Sequence, residues 1–285
     1  MDVSTFTAHR RALVTPAGQI AYTEFGDGPV ALFVHGLATS GLLWRHVIEQ
    51  LSDTSRCIAI DLPAHGGTPP REDLSVGAIA DVLEELCDGL RLGQVDLVAN
   101  DTGGAISQIF AARYPRRLRS FTLTNCDTDG NFPPQEFAPI VDLARQGQLA
   151  PILVGIAGDP ASWRSSPLAG LYSDPAKIPD EVWREYFAIG ETSERARDVE
   201  RMVAAFDPAD LAAASEGLRA LQVPTLIVWG TGKENNFDIE WAYQLRDLIP
   251  GARDVVEVDG AKLLFPEERP DDLVPHLRSL WGRQA

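Results

Sequence analysis

Short apolar and β-branched runs alternate with longer stretches of amphipathic helical pattern in the first and last thirds of the chain. Strands separated by helices of that length pair in parallel, so the alternation predicts an α/β fold, a mostly parallel sheet with helices on both faces. The eight predicted strands cover residues 12–14, 20–25, 30–34, 57–60, 95–99, 120–124, 225–229 and 254–258. The predicted helices cover residues 42–51, 76–90, 102–114, 239–248 and 271–281.

The strand pattern disappears between residues 133 and 220, where helical stretches are broken by segments such as "GDPAS" and "SDPAKIPD". A structureless loop of that length is uncommon inside a compact domain. We therefore predict an all-helical insertion over residues 133–220, which we call the cap. It should lie above the carboxyl edge of the sheet, where open α/β folds bind ligands. The core domain would then comprise residues 1–132 and 221–285.

The composition restricts the partners that the protein can have. The 285 residues carry a formal charge of −16, which repels phosphate backbones and anionic membrane surfaces. We therefore expect a small-molecule substrate that is not strongly anionic, no nucleic acid or membrane partner, and a monomer or homodimer. Because no apolar run approaches the ~20 residues of a membrane span and the first residues lack a secretory pattern, we expect a cytoplasmic location.

Neither a metal nor a cofactor is implied. The three cysteines, Cys57, Cys87 and Cys126, are too widely spaced for a Cys-x-x-Cys site and are interpreted as small buried hydrophobic residues. The segment "GGAIS" does not match the dinucleotide fingerprint. The acidic run "EERPDD", residues 267–272, is interpreted as a solvated helix start.

The segment "LVANDTGGAISQ", residues 98–109, predicts a sharp turn from a strand directly into a helix, with Asp101 at its apex. Such a turn crowds the neighbours two positions away, and here those are the small residues Ala99 and Gly103. This is the strand, turn and helix context of the G-x-S-x-G nucleophile elbow, with Asp in place of Ser. The alternative is that Asp101 only caps the helix.

A second segment, "ALFVHGLATSGLLW", ends a strand in His35 and Gly36. This is the place expected for a loop whose next backbone N–H, that of Leu37, forms an oxyanion hole together with the N–H of Thr102.

With these segments the sequence resembles the α/β-hydrolase fold family over nearly its whole length. "DLPAHGGT" after the fourth strand, "VPTLIVWG" at the seventh and "PEERPDDL" before the last helix extend the resemblance. Within the family, an aspartate at the elbow is similar to the haloalkane dehalogenase and epoxide hydrolase branch. There the carboxylate attacks an sp³ carbon, and water activated by a histidine cleaves the resulting ester. Asp suits this attack because it is already ionised at neutral pH.

The sequence departs from the family pattern at the water-activating base. Alignment of "VEVDGAKLLFPEERP" with the family's turn after the eighth strand places Leu263 where the histidine is expected. We therefore name Asp127, after the sixth strand, and Glu234, after the seventh, as the acids that could activate water. For Asp127 an equally good alternative is a loop residue that bonds local backbone.

The resemblance also suggests substrate contacts. Epoxide hydrolases protonate the opening oxygen with tyrosines of the cap, and here the cap contains Tyr172 and Tyr186. We assign these tyrosines, together with Trp183, Leu263 and the loop residue His35, to substrate binding. For the aromatic residues the alternative is ordinary packing.

Three functions remain open from the sequence. The first is a hydrolase with Asp101 as nucleophile on a small or medium apolar substrate. The second is a non-hydrolytic enzyme, a cyclase, isomerase or lyase, that uses Asp101 as a general acid or base. The third is a ligand-binding protein that retains an enzyme scaffold.

Overall fold

The eight strands form a single mostly parallel sheet, as the sequence predicts. A computed structural model describes residues 1–233 and 237–282. The strands are β1 (Arg10–Thr15), β2 (Gly18–Phe25), β3 (Val30–Val34), β4 (Arg56–Ile60), β5 (Val95–Asp101), β6 (Leu118–Cys126), β7 (Thr225–Gly230) and β8 (Ala252–Val258). Their order is β1-β2-β4-β3-β5-β6-β7-β8. Only β2 pairs antiparallel with its neighbours β1 and β4.

The helices of the core follow the predicted pattern with small changes at their ends. They are α1 (Val3–Ala8), α2 (Arg45–Leu51), α3 (Val76–Gly89) and α4 (Thr102–Arg113). The unpredicted α1 is only six residues long and is capped by Asp2, whose carboxylate accepts the Thr5 N–H. The first turn predicted for residues 42–51 is a 3₁₀ turn, Gly41–Trp44, that precedes α2.

Between β6 and β7 the described chain is helical, as expected for the cap. Its helices are α5 (Ala138–Arg145), α6 (Leu149–Ala157), α7 (Pro167–Gly170), α8 (Asp180–Phe187), α9 (Ser193–Ala204), α10 (Pro208–Ala212) and α11 (Ser215–Arg219). The last helices are α12 (Ile239–Leu248), α13 (Phe265–Glu268) and α14 (Val274–Gly282). The division into two domains at residues 133 and 220 stays a prediction.

The order of the strands places a crevice between β3 and β5. The chain leaves β3 to form β4 on one side and returns to form β5 on the other. At such a reversal the loops after the two strands diverge, and ligands bind between them at the carboxyl edge of the sheet. β3 ends at Val34 and β5 ends at Asp101, so the His35–Gly36 loop and Asp101 meet there.

A buried ionic cluster attaches the cap to the core. Glu267 of α13, only 3% exposed, pairs with the buried guanidinium of Arg45 on α2 and contacts the hydroxyl of Tyr172. The hydroxyl of Tyr186 also donates to Glu267, at 3.0 Å. The interpretation of "EERPDD" as a solvated helix start is therefore wrong for its first residue, because Glu267 neutralises a buried cation and joins both tyrosines of the cap.

Other contacts attach the cap at further points. The carboxylate of Glu268 accepts the backbone N–H groups of Ser173 and Asp174 at 2.8 and 2.9 Å. The Leu264 N–H donates to the carbonyl of Leu171 at 3.2 Å. On another side, the guanidinium of Arg195 donates to the carbonyl of Gly66 at 3.1 Å.

We predict that Glu267→Ala lowers the free energy of unfolding by about 3–5 kcal/mol, because it leaves the Arg45 cation buried without its partner. Urea denaturation of the purified protein measures the loss. Glu191→Ala, which removes an exposed acid of the cap, is the matched control and should change stability by less than about 0.5 kcal/mol. A loss below about 1 kcal/mol for Glu267→Ala would contradict the proposed importance of this pair.

Candidate active site

Asp101 occupies a strained corner between β5 and α4. Its backbone has φ +55° and ψ −137°, a conformation that residues other than glycine rarely adopt. The Asp101 side chain makes no capping hydrogen bond to α4, so it does not act as an ordinary helix cap. The corner instead directs the carboxyl group into the space above the sheet edge, where it lines a cavity.

Three glycines allow the chain to pack closely around this corner. A Cβ atom on Gly36 would lie 2.1 Å from Asp101 Oδ2, and one on Gly103 would lie 2.1 Å from the carbonyl oxygen of His35. A Cβ atom on Gly104 would lie 2.3 Å from the Cβ of Cys126 on β6. Each distance is far below van der Waals contact, so a side chain at any of these positions would force the strands and α4 apart.

Two backbone amides face the Asp101 carboxyl group. The Leu37 N–H donates to Asp101 Oδ2 at 2.9 Å, and the Thr102 N–H also stabilises the charged form of the group. The structure therefore brings together Asp101 and the two amides that the sequence assigns to an oxyanion site.

Two buried histidines hold the loop that carries Leu37. His35 Nε2 accepts the Leu62 N–H at 2.9 Å, and His65 Nε2 accepts the Ala38 N–H at 3.1 Å. Burial lowers the pKa of His35 to about 4 and that of His65 to about 3, so both rings are neutral at physiological pH. Because His35 is fully buried and does not line the cavity, the expectation that it contacts substrate is corrected.

Asp127 is the second carboxyl group of the cavity. It follows β6, is only 2% exposed, and its Oδ1 atom has no hydrogen-bond partner. Gln108 of α4 fixes the backbone here by donating to the Asp127 carbonyl at 2.7 Å, and the Thr102 hydroxyl bonds the side chain. This oxygen is enclosed by the protein, so the buried carboxyl group lacks one of the partners that would stabilise its charge.

Burial and mutual repulsion set the protonation of this pair. Burial raises the pKa of Asp101 to about 6, against the stabilising amides of Thr102 and Leu37. Burial and the charge of Asp101 raise the pKa of Asp127 well above the usual value of an aspartate. Of the two groups, Asp101 therefore ionises first, and Asp127 keeps its proton to the higher pH.

The cavity has a volume of about 490 Å³, within the range of small-molecule sites. Asp101, Thr102 and Asp127 line it together with other residues of the core and with helices of the cap. Seven aliphatic lining residues that the sequence did not single out come from α5, α6 and α9: Ile140, Leu149, Ile152, Leu153, Ile156, Val199 and Val203. The only sequence signal for them is the uninterrupted apolar stretch "LAPILVGIA" of α6.

Leu263 lines the cavity, at the place where the resemblance expects a histidine. Its side chain is 1% exposed, and its carbonyl accepts the amide of Asn100 at 3.0 Å, which fixes the turn after β8. All five histidines of the sequence lie in the described ranges 1–233 and 237–282, and none of them lines the cavity.

The three aromatic residues assigned to substrate binding do not reach the cavity. Tyr172 and Tyr186 direct their hydroxyls at Glu267, and burial raises the pKa of both well above that of a free tyrosine. Trp183 stacks on Phe187, with ring centroids 6.0 Å apart, and it is Phe187 that lines the cavity. The assignment of these three residues to substrate binding is corrected. For the two tyrosines the reason is the buried carboxylate of Glu267, which accepts hydrogen bonds from both hydroxyls.

The remaining candidate acid, Glu234, lies outside the described residues. Within the described part of the chain, no group of three or more His, Cys, Asp or Glu side chains is arranged to hold a metal ion. None of the helices there combines the length and the apolar composition required to cross a bilayer.

Comparison with known proteins places the chain in a family. The sequence model of the family described as "alpha/beta hydrolase fold" matches residues 29–269. The chain belongs to the alpha/beta hydrolase fold family. This membership agrees with the eight-stranded sheet and confirms the fold that the sequence resemblance implies.

Individual members of the family are similar over almost the full chain. Epoxide hydrolase 1 of Caenorhabditis elegans is 23% identical over 93% of this chain and 68% of its own length. Cis-3-alkyl-4-alkyloxetan-2-one decarboxylase of Xanthomonas campestris is 26% identical over 96% of both chains. The solved structure of a putative ancestral haloalkane dehalogenase shares the fold with a TM-score of 0.81, at 22% identity, over 96% of this chain and 99% of that one.

We predict that Asp101→Asn stabilises the protein more at high pH than at low pH. The pKa of Asp101 in the folded protein, about 6, lies above the ordinary value of 3.8, so its ionisation opposes folding. The penalty is fully present above about pH 6 and is lost below pH 4. From this shift we expect a gain of up to about 3 kcal/mol at pH 8 and about half of that at pH 5.

Urea denaturation of the wild type and the variant at both pH values measures the difference. Asp129→Asn is the control, because Asp129 follows the same strand but accepts a hydrogen bond from Ser215 at 2.7 Å and does not line the cavity. An equal gain for Asp101→Asn at pH 5 and pH 8 would show that the folded protein does not raise the pKa of this carboxyl group.

Proposed function

We propose that the protein is a hydrolase that opens a strained carbon–oxygen bond in an apolar substrate, with Asp101 as nucleophile and Asp127 as its proton partner. The observation that carries this proposal is geometric: the carboxyl groups of Asp101 and Asp127 line the same cavity, and burial with mutual repulsion favours one carboxylate and one carboxylic acid there. A nucleophile and a proton donor are the two groups that such a ring opening requires.

In the first step Asp101 attacks a ring carbon and the carbon–oxygen bond breaks. The released electron pair stays on the leaving oxygen, which takes the proton of Asp127. This step leaves an ester on Asp101 and a carboxylate on Asp127. Formation of the ester makes the loss of the proton from Asp127 more favourable. The ester removes the negative charge of Asp101, which is one of the two causes that raise the pKa of Asp127.

In the second step the Asp127 carboxylate takes a proton from water, and the hydroxide attacks the carbonyl carbon of the ester. Negative charge develops on an oxygen of the Asp101 carboxyl group, where the Leu37 and Thr102 amides stabilise it. Collapse of this intermediate releases the second oxygen of the product and restores Asp101. The product alkoxide takes the proton of the attacking hydroxide, which is then on the Asp101 carboxyl group. The two steps together add one water molecule to the substrate.

The proton on Asp127 favours an oxygen leaving group over a halide. A halide departs as a stable anion and needs hydrogen-bond donors rather than a proton. The relatives include an epoxide hydrolase, and a similar solved structure is called a haloalkane dehalogenase. Here Thr102 follows the nucleophile, and no tryptophan is among the described residues that line the cavity. We therefore propose an epoxide-like ring rather than an alkyl halide as the substrate.

A second candidate is a non-hydrolytic lyase or isomerase that uses the same pair only for proton transfer. The observation in its favour is Leu263, an apolar residue that takes the place of a water-activating base. A relative that matches over 96% of both chains is called a decarboxylase. The two candidates differ in the product, because hydrolysis adds the mass of water and a lyase or isomerase does not.

We predict that a single turnover in heavy-oxygen water labels Asp101. With enzyme in excess over a terminal epoxide, hydroxide attack on the ester places one heavy oxygen in the Asp101 carboxyl group. Mass spectrometry of the peptide that contains residue 101 detects it. Asp101→Asn should reduce turnover by at least about 10³-fold, whereas the control Asp129→Asn should keep it. Label found in the diol but not in Asp101 would show direct attack by water and reject the nucleophile.

We further predict that Asp127→Asn separates the two steps. With an epoxide, the variant should form the ester about 10²–10⁴-fold more slowly, because an amide cannot supply the proton. With an alkyl bromide of the same chain length the first step needs no proton, so the ester should form and accumulate for lack of a base. Intact-protein mass spectrometry measures both. If the variant formed the ester from epoxide and bromide at equal rates and the ester did not accumulate, Asp127 would have no part in either step.

A further inference from the structure

The cavity extends far beyond the reacting groups, and its wall there is hydrocarbon. Among the lining residues, Asp127, Leu263 and Phe237 are almost completely buried. Ile152 of α6 also lines the cavity and is 44% exposed to solvent. The cavity therefore connects the carboxyl pair with the exposed side of α6 at Ile152, which we call the rim, and we call the apolar space between them the passage.

Helix α6 has an unusual composition for its position. All nine of its residues are apolar, yet Pro151, Ile152 and Gly155 are exposed. A helix that is apolar on all sides is normally buried on all sides. The inner side of α6 lines the cavity through Ile152, Leu153 and Ile156, so the exposed apolar surface is continuous with the cavity wall.

The charges of the cavity exclude one class of ligand. Among the described residues that line it, the ionisable ones are Asp101, Asp127 and Glu136, and all three are acids. No lysine, arginine or histidine is among them, so a carboxylate or phosphate inside the passage would be buried without a partner.

From these observations we infer that the substrate carries an uncharged aliphatic chain, which lies along α6 from the carboxyl pair to the rim at Ile152. The identity of the reactive group at the end of this chain rests on the proposed function. The placement of the chain rests on the cavity alone. Each methylene group that moves from water into the passage should strengthen binding about fourfold, until the chain reaches the rim.

Binding without reaction tests this inference. The Asp101→Asn variant is titrated with the neutral dye Nile red, and the dye is then displaced by 1-hexanol, 1-decanol or decanoate at pH 8. We expect decanol to displace the dye at a concentration at least tenfold lower than that of hexanol, and decanoate to be at least tenfold weaker than decanol. Equal displacement by hexanol and decanol, or by decanol and decanoate, would overturn the inference.

Two matched variants locate the chain, each made in the Asp101→Asn background. Ile152→Glu places a charge at the rim and should weaken decanol binding by at least tenfold while hexanol, which ends before the rim, changes less than threefold. Val14→Glu is the control, because Val14 is 79% exposed on β1 and does not line the cavity. If both variants bind decanol as the parent does, or if Ile152→Glu changes only the oligomeric state, the chain does not lie along α6.

The aliphatic chain and the proposed function can be rejected independently of each other. Ester formation on Asp101 with short epoxides, together with no dependence of binding on chain length, would reject only the aliphatic chain. A fourfold gain per methylene without any ester on Asp101 would reject only the nucleophile.

Discussion

The site depends on the repulsion between two carboxyl groups that share one buried space. Asp101 ends β5 and Asp127 follows β6, and the backbone around each is fixed. Two negative charges in that space would be costly, so the charge of Asp101 raises the pKa of Asp127 and favours a proton there. The two amides at Asp101 decide where the charge resides, because they stabilise the ionised form of that residue. The same repulsion would make Asp127 a stronger acid once the charge of Asp101 is consumed.

The fold could be predicted because its signals are local and repeated. β-branched runs bounded by helical stretches define a parallel sheet, and the small residues around Asp101 allow only a tight strand-to-helix corner. The positions of Leu37, Thr102 and Leu263 follow from that corner, because each is close to the end of a strand that the pattern reveals. The short helix α1 escaped detection because a helix of six residues depends on its cap and on tertiary packing rather than on periodicity.

The side chains of the cap could not be placed from sequence. Tyr172 and Tyr186 are the expected kind of residue for a proton donor, but their direction is set by Glu267, which lies about 80 residues or more away in the chain. Nothing in the run "EERPDD" distinguishes the buried Glu267 from the half-buried and exposed residues that follow it, since its burial depends on Arg45 of a different helix. The wall of the cavity was missed for a related reason: aliphatic residues of α5, α6 and α9 give the same pattern whether they face the core or a ligand.

The ionic cluster at Glu267 has a consequence for exchange with the solvent. The hydroxyls of Tyr172 and Tyr186 secure this flank of the cap to Glu267 of α13, so the cap cannot swing open here without removing both hydroxyls from a buried carboxylate. Under the inferred placement of the chain, molecules enter at the rim at α6, and the apolar passage favours those that are poorly soluble in water. Under the proposed reaction the apolar reactant partitions from water into the passage. The product has two new hydroxyl groups, and water can hydrate them only after the product has left the passage. The difference in water solubility between reactant and product would thus expel the product and keep the enzyme free for the next molecule.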